Sequence, residues 1–269
     1  MSAPEAPALV TGAAEVLDTA QQSATPVRTT QAWPELSLEE AYATQAALLS
    51  RRRARGERAV GLKLGFTSEA KMRQMGVDEL IVGRLTDAMQ VADGGALALD
   101  ALIHPRVEPE VAFLVGTDVD LANPALDLAD SIVGVAAGLE IIDSRYDGFR
   151  FDLPRVVADN TSAARFVVGP WRGLDEVDLD DQAVTMRIDG EVVASGTTAA
   201  ILGHPLRTLP RLAALGRRFG LQLPAGSVVL AGAATEAVAL RPGTVSAEVA
   251  GLGAVEVSVV ATAGERSKQ

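Results

Sequence analysis

The chain has 269 residues, 48% of them hydrophobic, and a formal net charge of −11, so it can bury a sizeable core and is ill suited to nucleic acid or an anionic membrane as partner. It has no cysteine, which excludes disulfides, thiolate catalysis and Cys-ligated zinc, and its 2 histidines, His104 and His204, are too few for a histidine-rich metal site. The N-terminal stretch has no basic residue before Arg28 and does not read as a secretory signal; no run of about 18 apolar residues exists, so a soluble, cytoplasmic protein is expected.

In chain order, residues 5–22 suit a short amphipathic helix, followed by a loop rich in Ser, Thr and Pro. "LSLEEAYATQAALLSRRRARGE" places Ser37 and Glu40 in capping-box spacing and ends in a basic turn, which predicts a second helix. The cluster Arg51, Arg52, Arg53 and Arg55 reads as the cationic end of that helix, with a binding patch as the other reading. From residue 58 the signals turn mostly β. "RAVGLKLGFT" is a strand, "SEAKMRQMG" a short helix and 103–116 a longer strand. "LADSIVGVAAGLEIID" is expected to start as a small-residue helix and end as a strand near 138–143. "AVTMRIDGEVVASG" is a hairpin turning at Asp189 and Gly190. Leu206, Leu209, Leu212 and Phe219 share a helix face that ends at Gly220. "GSVVLAGAAT", "TVSAEVA" and "AVEVSVV" are three further strands. The expected fold is α+β: a β-rich domain over 58–269, its mixed sheet curled or closed to limit exposed edges, behind an N-terminal helical region over 1–57.

The strand "IHPRVEPEVAFLVG" carries the first chemical signal. Alternation puts Val107, Val111, Phe113 and Val115 on one face and Glu108 and Glu110 together on the other, about 6.6 Å apart along the chain. Like charges on one face repel, so either that face is solvated or something positive sits between them. Thirty positions later Glu140 interrupts Leu139, Ile141 and Ile142 in the same way. Strands converging on one divalent cation reconcile the three acids, and an oxygen-only donor set points to a hard ion, Mg²⁺ (or Mn²⁺), with positions left open for water or a chelating ligand. Lys63 interrupts another apolar strand and reads either as an interior cation for an anionic substrate or as a solvent-face lysine. "VVADNTSAARF" holds a polar patch from Asp159 to Ser162, a turn or a pocket lining. "LAGAAT" ends in small residues and Thr235, which leaves backbone N–H groups open to an anion. Asp78 is a turn residue or an acid–base group. His104 and His204, each followed by proline, read as structural.

Taken together, "KLGFTSEAKMRQMGVDELIVGRLTDAM", "HPRVEPEVAFLVG", "LEIIDSRYDGFRFDLPRVVADNTSAARFVVGP", "TTAAILGHPL" and "GSVVLAGAATEAVAL" resemble, in content and order, the 2-keto-4-pentenoate hydratase and 4-oxalocrotonate decarboxylase family of aromatic meta-cleavage pathways. The resemblance runs from about residue 35 to 260 and implies a fumarylacetoacetase-like fold. It implies Glu108, Glu110 and Glu140 as metal ligands, Lys63, Asp78 and Ser162 as catalytic groups, and Lys63, Ser162 and Thr235 as substrate contacts. "RLTDAM", "HPRVEPE", "IIDSRYDGFRF" and "LAGAAT" are more similar to the decarboxylase branch, which acts on the dicarboxylate 2-oxo-3-hexenedioate, than to the hydratase branch. A homo-oligomer, associated with the hydratase of the same pathway, is implied as well. A non-catalytic partner or carboxylate-binding subunit is the remaining reading, and intact Lys63, Asp78 and glutamates speak against it.

Overall fold

The computed structural model describes residues 8–28, 35–68, 72 and 79–261. The short helix expected over 68–76 falls almost wholly outside the described residues, and so does Asp78. The chain opens with α1 (Ala8–Gln22) and α2 (Leu38–Ala54), then β1 (Ala59–Gly65), β2 (Ile81–Thr86), β3 (Gln90–Val91), β4 (Ala96–Ala98), β5 (Arg106–Val115) and β6 (Ile132–Ile142). It continues through α3 (Leu153–Ala158), β7 (Ala163–Val168), β8 (Ala183–Ile188), β9 (Glu191–Thr197), α4 (Thr208–Phe219), β10 (Val228–Ala233), β11 (Val238–Ala239), β12 (Gly243–Val249) and β13 (Gly253–Val260). Among the described residues no helix is long and apolar enough to cross a membrane.

Local chemistry accounts for several of these elements. The Ser37 side chain accepts the Glu40 amide while the Glu40 carboxylate accepts the Ser37 N–H at 2.8 Å, the capping box that starts α2. The basic end of α2 is a latch. Asp18 of α1, its side chain 1% exposed, takes Arg51 Nε at 3.0 Å and Arg55 Nη1 at 2.7 Å, and Arg52 bonds to Gln21 and Glu57. These three arginines serve packing rather than a binding patch. Gln45 ties α2 to the sheet, donating to Val82 O at 2.7 Å and to Val157 O of α3 at 3.1 Å. Asp189 and Gly190, at φ 53° and 82°, form the expected hairpin turn between β8 and β9, and α4 ends at left-handed Gly220.

One element departs from expectation. Only Leu128–Ser131 is helical, as a single 3-10 turn, and β6 already begins at Ile132. The small residues Gly134, Ala136, Ala137 and Gly138 resemble a helix face in sequence, but β5 and β7 hydrogen-bond to β6 from both sides, and pairing overrides propensity.

Two sheets result. The larger has the order β2-β1-β10-β5-β6-β7-β3, with β11 added on β5, and the smaller β4-β13-β12-β8-β9. The larger is curled into a half-barrel, and register shifts in β1, β5, β6 and β10 supply the bends. On its convex face Val107, Val111, Phe113, Leu139 and Ile141 join Val245, Ala247, Val255 and Val257 of the smaller sheet in the main core, each buried Val, Leu, Ile or Phe contributing about 1.5–3 kcal/mol. The other face is concave and carries a second, smaller apolar cluster of Leu85, Met89, Ala112, Ala163, Phe166, Val228 and Leu230.

Candidate metal centre

The concave face gathers the acids. Antiparallel register sets Glu108 of β5 directly opposite Glu140 of β6, and Glu110 opposite Gly138. Residues paired in this way project to the same side of a sheet, as do 108 and 110 along one strand. The other neighbour of Glu110 is Ala233 of β10, so only small residues, glycine and alanine, flank it across the sheet. One carboxylate oxygen from each of Glu108, Glu110 and Glu140 lies within 4.8 Å of the other two. Glu110 and Glu140 are fully buried and Glu108 is half-buried, which makes Glu108 the side open to solvent.

Lys63 reaches the same face because it pairs with Leu230, which pairs with Ala112, two positions from Glu110. Its Nζ lies 2.9 Å from Glu140 Oε2 and donates to Thr161 O at 3.1 Å. Burial alone would push the ammonium's pKa down, but Glu140, Glu110 and Glu108 outweigh it and hold Lys63 above the ordinary lysine value. Gly83 makes room for this side chain, since a Cβ there would stand 2.9 Å from Lys63 Cδ and 2.7 Å from Asn160 O.

The acceptor of Lys63 belongs to an unusual turn. Asn160, Thr161 and Ser162 are three successive non-glycine residues at φ 52°, 54° and 57°, each disfavoured by roughly 1–2 kcal/mol. Asn160 exchanges two hydrogen bonds with the backbone of Arg84 in β2, at 2.7 and 2.9 Å. The Thr161 and Ser162 hydroxyls are buried without a hydrogen-bond partner. The polar run read from sequence is therefore both a turn and part of the site wall.

The charge and donor set suit a hard cation. Two unit charges at the 4.8 Å limit of this cluster repel by on the order of 3–4 kcal/mol at an effective dielectric of about 20, and a single ammonium does not balance three carboxylates. Glu110 Oε1 and Glu140 Oε1 are buried without a hydrogen-bond partner. Burial, then Glu140, pushes the Glu110 carboxyl well above the usual carboxylate range, against the pull of Lys63 and the Gly232 N–H. A divalent ion bound by oxygens alone relieves all three conditions, and Mg²⁺ or Mn²⁺ fits such donors.

Thr235 is not brought onto the carboxylates by any described contact. It sits half-buried on the loop after β10, where its hydroxyl donates to Glu236 O at 3.1 Å. Two amides of "LAGAAT" expected to be open are engaged: Gly232 N–H donates to Glu110 Oε2 at 2.8 Å and Ala234 N–H to Pro109 O at 2.9 Å. Gly232, at φ 116°, is fixed by sterics as well, because a Cβ would meet Thr67 Oγ1 at 2.0 Å. His204 is structural as expected, its Nδ1 accepting the Leu206 N–H at 3.2 Å.

A curled mixed sheet with an acidic cluster on its concave face defines the class. Residues 79–260 match the fumarylacetoacetate (FAA) hydrolase C-terminal family, and the chain belongs to that family. Within it, the chain is 49% identical over 232 residues to a 4-oxalocrotonate decarboxylase from Pseudomonas sp, covering 86% of this chain and 89% of that protein. It is 36% identical to a 2-keto-4-pentenoate hydratase from Paraburkholderia xenovorans (strain LB400), covering 90% and 92%. A solved structure of 4-oxalocrotonate decarboxylase from Pseudomonas putida G7, complexed with magnesium and adipate, superposes with a TM-score of 0.87 at 39% identity over 93% of this chain and 97% of that one.

Proposed function

We propose that this chain is a metal-dependent carboxy-lyase that converts 2-oxo-3-hexenedioate to 2-hydroxypenta-2,4-dienoate and CO2 in the breakdown of aromatic compounds. The observation that carries the reading is the triad of carboxylates within 4.8 Å beside a buried lysine, and the similarity to decarboxylases of that substrate supports it. Glu108, Glu110 and Glu140 would hold Mg²⁺ (or Mn²⁺). When bound, the ion supplies an anchor for a 2-oxo acid and Lewis-acid polarisation of its ketone.

The chain's own residues do the rest. The Lys63 ammonium has three donors; Thr161 O takes one and Glu140 faces another, which leaves one for charge developing on the 2-oxygen. Cleavage of the bond to the distal carboxylate releases CO2, and the electron pair moves through the conjugated chain to that oxygen. Lys63 stabilises the charge there from a buried position, where a fixed donor acts strongly, and one proton added to the oxygen completes the product. Ser162, with its unpartnered hydroxyl, is assigned a polar contact to substrate. Asp78 is assigned proton handling and Thr235 the substrate carboxylate, both on the family resemblance.

The same resemblance supports a cytoplasmic homo-oligomer associated with the pathway hydratase, and a division into a helical region over 1–57 and a catalytic domain over 58–269. A hydratase acting on 2-hydroxypenta-2,4-dienoate is the second reading, favoured by the similarity to hydratases over nine-tenths of the chain. Purified protein with Mg²⁺ separates the two. CO2 release from 2-oxo-3-hexenedioate, stopped by EDTA and restored by Mg²⁺, is expected. Loss of diene absorbance from 2-hydroxypenta-2,4-dienoate without any CO2 from the other substrate assigns the hydratase instead.

A further inference from the structure

Behind the site wall, Arg145 is among the largest fully buried side chains, and its partner Asp159 is 0% exposed. The guanidinium bonds to the Asp159 carboxylate and to Asp159 O, and its Nη1 donates to Asp143 O at 2.8 Å and Ala163 O at 3.0 Å. The Asp159 carboxylate also accepts Arg145 N–H and Ser144 Oγ, both at 3.1 Å. A buried ion pair gives little net stability over an apolar pair of the same size, because both charges lose their water. What it supplies is direction. Its anchor points, Asp159 and Ala163, bracket the left-handed run Asn160–Thr161–Ser162, and Thr161 O within that run receives the Lys63 ammonium.

We infer that Arg145 and Asp159 are positioning residues: their ion pair clamps both ends of the 160–162 turn and so fixes the carbonyl that aims Lys63. Neither touches the metal ligands in any described contact. The glutamates stand on β5 and β6, held by sheet pairing, so the clamp should govern the lysine and leave the cation site alone. Thermodynamic preference alone would relax three left-handed residues toward the ordinary α or β regions once the bracket is cut. The consequence for the reaction rests on the decarboxylase reading; the consequence for the turn does not.

Two variants test the clamp in the full-length protein. Arg145→Lys keeps the charge but cannot span Asp159 O and Ala163 O together; Asp159→Asn keeps the shape and carries the test if the first variant does not fold. Three measurements are made on each: peptide-level hydrogen exchange over 159–164, Mn²⁺ affinity by electron paramagnetic resonance, and kcat and KM on 2-oxo-3-hexenedioate. Expected are exchange faster by about tenfold or more over that peptide alone, Mn²⁺ affinity within about threefold of wild type, and kcat lower by about a hundredfold, the scale of a reacting group displaced by an ångström, with KM less affected. A third variant, Arg145→Met, which removes the charge as well, is expected to lose more activity than Arg145→Lys. Unchanged exchange, or Mn²⁺ affinity lost in step with kcat, overturns the clamp. If wild type itself releases no CO2, the functional reading fails while the exchange and Mn²⁺ measurements still decide this one.

Discussion

Replacing Glu110 by glutamine separates the chemistry of the site from its folding. A carboxyl whose folded pKa is raised contributes stability below its unfolded pKa and loses that contribution as pH rises through the folded value. Burial and Glu140 raise Glu110 in this way, so at neutral pH the metal-free site opposes folding. Glu110→Gln is therefore expected to unfold at the same or a higher temperature than wild type in EDTA. Glu108→Gln and Glu140→Gln are expected to stay folded too. All three should lose activity by more than about a hundredfold, beyond the cost of an outer contact. Thermal unfolding in EDTA alongside turnover in Mg²⁺ checks both halves, and full turnover by any of the three removes that residue from the metal site. These acids were legible because each interrupts an apolar strand, where an apolar residue fits at less cost. The roles of Gly232 and Arg145 were not legible, nor was the left-handed form of the 160–162 turn: a glycine amide serving a carboxylate, or such a turn held by a distant guanidinium, exists only once β10, β2 and the 159–163 segment meet.

At the scale of elements, α1 and α2 test a different kind of electrostatics. Burial pushes Asp18 up, yet its hydrogen bonds from Arg55 and Arg51 prevail and hold it below the ordinary 3.8. A depressed carboxyl contributes stability above the unfolded pKa, and that contribution is lost as pH falls through the folded value. Asp18→Asn is expected to lower urea stability at pH 7 by about 1–3 kcal/mol, less than a fully buried pair because both arginines are over a third exposed. The difference from wild type should shrink as pH falls below 3.8 and through the still lower folded value; a difference that does not change with pH assigns the effect to packing. The same contrast explains which elements the sequence made readable. The capping box at Ser37, the Asp189–Gly190 turn and the αL end of α4 are local devices, and each stands where its residues predict it. The strand β6 is not local. Its small-residue middle, Ala136–Gly138, carries no β signal of its own and masks the β-branched start at Ile132, Val133 and Val135, and long-range pairing with β5 and β7 decides its conformation.

For the whole molecule, an excess of acid and an anionic substrate are at odds unless positive charge is concentrated somewhere. The curled sheet brings Lys63, Glu108, Glu110 and Glu140 from three strands to one concave face, where the three carboxylates lie close enough together to hold a cation. The convex face, by contrast, is apolar core, so the two faces of β5 divide stability from chemistry by simple alternation. Diffraction from crystals equilibrated with Mn²⁺, recorded at the manganese absorption edge, tests this most directly. One strong anomalous peak, bound by Glu108, Glu110 and Glu140 together, is expected. A protein saturated with Mn²⁺ whose peak lies elsewhere, with these three side chains turned apart, would contradict it.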